Sequence, residues 1–78
     1  MKMKDNLESL EVGRSAVITD LAGNPEFVSR ATSLGFCPGT SVSMLRKTKG
    51  YPIIVYLNDT QIAIDKKEAK QVMIDEQI

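Results

Sequence analysis

The hydrophobic and polar positions of the chain change period several times, and each change marks an element. In "SAVITDL", Ser15 to Leu21, β-branched residues bounded by polar ones predict a strand. The following "AGNPEFVSRATSLGF" switches to helical spacing, with Phe27, Ala31 and Leu34 on one face and Val28 alongside. Asn24 is placed to cap this helix and Pro25 suits its first position. Glu26 complements the positive end of the dipole, and Gly35 supplies the left-handed residue that stops the helix. Ahead of the strand, "NLESL" predicts a helical turn that aims Leu7 and Leu10 at the core, with Gly13 closing the segment.

From Thr40 onward the period is two. "TSVSMLRK" sets Val42 and Met44 against Ser41 and Ser43, a half-buried strand that runs into the basic turn "RKTKG". "PIIVYLNDTQIAI" holds two apolar runs joined by Asn58 and Asp59, residues that tolerate the positive φ of a two-residue hairpin turn. Ile53, Val55 and Leu57 then face one way, Ile54 and Tyr56 the other. "DKKEAKQ" makes a short polar helical turn, and "VMI" closes with a last strand. About five short strands with one inserted helix predict a mainly β chain, folded as a small barrel rather than a flat sheet because closure removes exposed edges.

Composition adds bounds. The chain has 78 residues, no repeat and no linker, and reads as one unit over 1–78. At that size only about 60% of the unfolded surface is buried, so function must sit on the surface. Hydrophobic residues at 42% and charged ones at 26% argue for a folded domain. Ten Lys and Arg balance ten Asp and Glu, which gives no overall field for phosphates or anionic lipid and argues against a nucleic acid partner. No apolar run approaches the roughly 20 residues that cross a bilayer. The start, "MKMKDNLESLEVG", has lysines with no hydrophobic run behind them, so no signal peptide and a cytoplasmic location are expected, without membrane insertion.

The chemistry on offer is sparse. The sequence has no His, which removes the usual general base, the Ser-His and Cys-His pairs and most zinc or iron sites together. The carboxylates are dispersed and none follows a calcium-loop spacing, and the glycines are too far apart to cradle a nucleotide. The expectation is a protein that is not an enzyme and has no cofactor and no metal site of its own. The single cysteine, Cys37, stands in "LGFCPGTSV" between two glycines and beside Pro38. With Gly35 as helix stop, Pro38 preventing restart and Gly39 in a turn to the next strand, Cys37 reads as a small apolar residue in a tight connection. No His or fixed cation is there to lower its pKa.

Taken in order, the Leu and Gly spacing near the start, the strand, the helix ending in "LGFCPGT" and the segment "GYPIIVYLNDTQIAIDKKEAKQVMI" resemble the FeoA family, ferrous iron transport protein A, from about Leu7 to Ile74. The resemblance implies an SH3-like β-barrel with an inserted helix. It also implies a cytosolic role as small accessory to ferrous iron transporter B, a membrane protein with an amino-terminal GTP-binding domain. The same barrel resembles the carboxy-terminal domain of iron-dependent repressors, but no helix-turn-helix region is present. Family members often carry an apolar residue where Cys37 stands, which makes it a packing or contact position and not an iron ligand.

Two other readings compete. A peptide-binding SH3 module needs an aromatic groove, and here only Tyr51, Tyr56, Phe27 and Phe36 are aromatic. An RNA-binding barrel has only "RKTKG" and "DKKEAK" in support, and such runs are usually solvated turns. For the partner surface there are two candidates. Leu34, Phe36 and Cys37 are apolar side chains at the helix end and its connection, where they meet a partner or plug the end of the barrel. Arg46, Lys47 and Tyr51 form the other, since neighbouring Arg and Tyr are common contact anchors. The oligomeric state stays open, a weak homo-oligomer included.

Overall fold

Alternation in the strands sorts side chains to two faces, and the computed structural model, which describes residues 5–76, follows that sorting except where β2 and β3 carry register shifts. Residues 1–4, whose lysines entered the reading of the amino-terminal segment, and residues 77–78 lie outside the description. The order is β1 (Asp5–Asn6), a 3-10 turn (Leu7–Ser9), β2 (Ser15–Leu21), α1 (Pro25–Leu34), β3 (Ser41–Arg46), β4 (Ile53–Leu57), β5 (Thr60–Ile64), α2 (Lys66–Ala69) and β6 (Val72–Glu76). All strand pairs are antiparallel, in one sheet ordered β1-β6-β2-β3-β4-β5.

There are six strands where about five were expected. The addition is β1, two residues long, which pairs Asp5 with Ile74 and Asn6 with Met73. So short a strand has no alternation to read. The 3-10 turn after it buries Leu7 and, just beyond, Leu10, as its pattern requires. Inward residues of the sheet, among them Ala16, Ile18, Val42, Met44, Val55 and Ile74, share one core with Phe27 and Ala31 of α1. No ladder joins β1 to β5 among the described residues, so the sheet wraps the core with a seam between its two end strands.

Local signals fix the sharpest features. The Asn24 side chain accepts the Phe27 N–H at 2.8 Å, and Pro25 opens α1. Across the hairpin, Asn58 and Asp59 have φ of 52° and 58°, and Leu57 pairs with Thr60. At the end of α1, Gly35 sits at φ 108°, where a Cβ would be strained. Its N–H bonds to Thr32 O at 3.0 Å and the Phe36 N–H to Ala31 O at 3.0 Å, the double closure of a Schellman motif.

That motif corrects one expectation about the helix face. Leu34, placed on the apolar face by its spacing, is 50% exposed, while Phe36 is wholly buried. The reversed chain folds Phe36 back over the last turn, so the core takes the residue after the glycine rather than the last residue of the helix. The connection then turns through Pro38 and Gly39, closed by Thr40 N–H to Cys37 O at 3.0 Å, and lies beside β2 through Gly39 N–H to Ile18 O at 2.7 Å.

Candidate functional site

The β3–β4 connection is built from a bulge, an anchor and a turn. Between Met44 and Arg46 the register with β4 shifts, so that Leu45 and Arg46 are both exposed instead of alternating. The Lys47 ammonium donates to the Glu8 carbonyl at 2.7 Å and ties the connection to the 3-10 turn. Tyr51 N–H closes a turn on Thr48 O at 3.1 Å, and Pro52 leads into β4. The result is a shallow groove of about 240 Å³ lined by Arg46, Thr48, Tyr51, Pro52 and Ile54. Tyr51 is 67% exposed, and Leu45, at the bulge near the end of β3, is 41% exposed. Apolar surface of this kind next to an arginine is suited to binding a partner rather than to bond-making chemistry.

A second cleft, of about 370 Å³, lies between α1 and α2, with Asn24, Glu26, Arg30, Lys67, Glu68 and Gln71 around it. Its central groups satisfy each other. Arg30 pairs with Glu68, and its guanidinium stands 6.0 Å from the Phe27 ring centroid. Asn24 is committed to the helix cap. This cleft serves as the seam that fastens α2 to α1.

The expected contact residues do not form one surface. Phe36 is removed from the set, because a side chain with no exposure cannot meet a partner in the folded state; it plugs the core. Cys37 is half-buried, and its thiol points at the Thr32 carbonyl, 3.7 Å away, which makes it part of the helix end. Leu34 is exposed at that same end, where a Cβ on Gly35 would fall 2.5 Å from Asn58 Nδ2 of the hairpin turn. Arg46 and Tyr51 are exposed at the opposite end of β4, separated by the length of the strand, roughly 13 Å at 3.3 Å per residue. Lys47 spends its ammonium within the fold. Leu45, Pro52 and Ile54 went unrecognised as part of the surface. The first depends on the bulge; Pro52 is exposed just ahead of β4, and Ile54 is half-buried on the strand's outer face, where it carries no signal beyond alternation.

Tyr56, on the outer face of β4, is a titratable group with a perturbed environment. Its hydroxyl donates to Asp59 Oδ1 at 3.0 Å, and that bond together with the carboxylate charge raises the phenol above its usual range. No three His, Cys, Asp or Glu side chains among the described residues converge where a metal ion could be held. No helix among them is long and apolar enough to cross a membrane.

Comparison with known proteins fits this geometry. Residues 6–76 match the family model of the FeoA domain. The chain belongs to the FeoA family. FeoA domains are small accessory domains associated with ferrous iron transport. Stenotrophomonas maltophilia FeoA, a prokaryotic SH3 domain protein solved in complex with zinc, is 32% identical, with a TM-score of 0.80 over 90% of this chain and 88% of that one. An iron uptake regulatory protein (FeoA) superposes with a TM-score of 0.87 at 24% identity, covering 96% of this chain and 99% of its own. A manganese-dependent transcriptional repressor reaches a TM-score of 0.88 at 11% identity, over 99% of this chain and 44% of that one, a likeness of fold alone. No curated protein sequence matches.

Proposed function

We propose that this FeoA protein is a cytosolic accessory of ferrous iron uptake that binds the cytosolic, GTP-binding part of the membrane ferrous iron transporter B and modulates its activity. In this reading the whole of 1–78 acts as one SH3-like module, does no chemistry of its own, does not insert into the membrane and leaves the iron to the transporter. The observation that carries it is the β3–β4 connection, where a bulge, an anchored lysine and a turn hold Arg46, Tyr51 and their apolar neighbours outward. Side chains are not held in such an array for packing, since packing would draw Tyr51 inward. Family membership supplies the identity of the process.

Ferrous iron uptake by cells tests the proposal. Deleting the protein should lower the uptake rate, the wild-type chain supplied in trans should restore it, and the exposed Arg46→Asp variant should restore it only weakly while accumulating to the same level. Undiminished uptake on deletion, in cells whose ferrous uptake depends on the transporter, would reject it.

A further inference from the structure

A net charge of zero conceals a segregation along the chain. All ten carboxylates lie at positions 5–26 and 59–76, while residues 27–58 carry Arg30, Arg46, Lys47 and Lys49 with no Asp or Glu. Folding engages two of these four cations, Arg30 with Glu68 and Lys47 with the Glu8 carbonyl. Arg46 and Lys49 stay exposed and make no ion pair among the described residues. Arg46, the last residue of β3, lines the groove, and Lys49 lies on the connection that follows it.

We propose that this groove takes an extended acidic segment of a protein partner, with an apolar side chain seated against Tyr51, Pro52 and Ile54 and a carboxylate of the same segment on Arg46. Charge complementarity carries the choice. A guanidinium receives a carboxylate through paired N–H donors, and two uncommitted cations on a stretch without carboxylates draw an acidic segment and repel a basic one. Tyr51 and Pro52 lose little conformational freedom on contact, so the apolar half of the site is largely prepared before binding. A proline-rich ligand needs a row of aromatic rings, and the groove has one. A nucleic acid strand needs a track of cations and stacking rings, and two cations with one ring do not make a track. The proposal rests on the partner-module reading only in that the transporter would be the natural source of the segment.

Amide NMR spectra of the full chain, titrated with a short synthetic peptide alternating Asp with Leu, test it directly. Three controls accompany that titration: the same peptide with Lys for Asp, oligothymidylate, and dilution of the protein alone. The alternating Asp-Leu peptide should shift the amides of Arg46, Thr48, Tyr51 and Ile54, and binding should weaken as salt rises. Arg46→Glu and Tyr51→Ala, both at exposed positions, should each lower its affinity at least about tenfold with the rest of the spectrum unchanged. Equal binding of the Lys peptide, tighter binding of oligothymidylate at the same amides, or shifts produced by dilution alone would each overturn the proposal, the last in favour of a second copy of this chain. No shift at any peptide concentration would overturn it as well. The outcome separates from that of the proposed function, because the transporter's cytosolic part could still bind Arg46→Glu as well as wild type; the groove assignment would then fail and the accessory role would stand.

Discussion

Gly35 shows how one residue without a side chain settles several others. Its left-handed backbone lets the helix end fold Phe36 into the core, and its bare Cα lets the hairpin turn approach, with Asn58 Nδ2 where a Cβ would press. Gly35→Val should therefore cost on the order of 1 to 2 kcal/mol from backbone strain, with further loss if the Asn58 amide is displaced. A urea unfolding midpoint lower than wild type at unchanged slope is the expected reading, and an unchanged midpoint would refute the assignment. Tyr56 offers a second test at this scale. Its phenol is raised by the hydrogen bond to Asp59 and by the charge of that carboxylate, both of which favour the protonated ring. Asp59→Gly keeps a residue that accepts the φ of 58° while removing both effects, so the Tyr56 titration followed by ring NMR signals should move down toward that of an ordinary phenol.

Among elements, those with local signals were legible and those defined by distant pairing were not. Asn24-Pro25 at the start of α1 and Asn58-Asp59 in the hairpin carry their own geometry, and both stand where the pattern puts them. β1 exists because Asp5 and Asn6 meet residues of β6 at the far end of the chain, and the Leu45 bulge exists only in register with β4. Neither leaves a mark in its own few residues. Phe36 is an intermediate case: its position leaves both a partner contact and a plug of the barrel end open, and a hydrophobic residue directly after a helix-stopping glycine is a signature of the closure that buries it. The β3–β4 connection is a candidate from its Arg and Tyr alone, but the role of Lys47 depends on a carbonyl in the 3-10 turn. Lys47→Ala should remove that anchor at about 1 kcal/mol, a typical figure for one hydrogen bond. Amide exchange of residues 48–51 should then quicken more than that of β4, which hydrogen exchange followed by NMR would register.

At the scale of the whole molecule, the chain is neutral overall, with ten Lys and Arg against ten Asp and Glu. The ordering of the charges adds to that picture, since a middle stretch without carboxylates leaves Arg46, on the groove face, and Lys49 exposed and without an ion pair among the described residues. The fold places that face away from the helix end, so a partner can engage the groove without disturbing the closure around Gly35. The protein is proposed to work by contact with the transporter and not by carrying iron. Anaerobic calorimetry of the full chain against the purified cytosolic GTP-binding part of ferrous iron transporter B tests this most directly. Saturable binding that weakens with salt, in the absence of added iron, is the predicted result. No heat and no complex with the transporter fragment, together with one tight ferrous site on the chain alone, would instead make the protein a metal carrier.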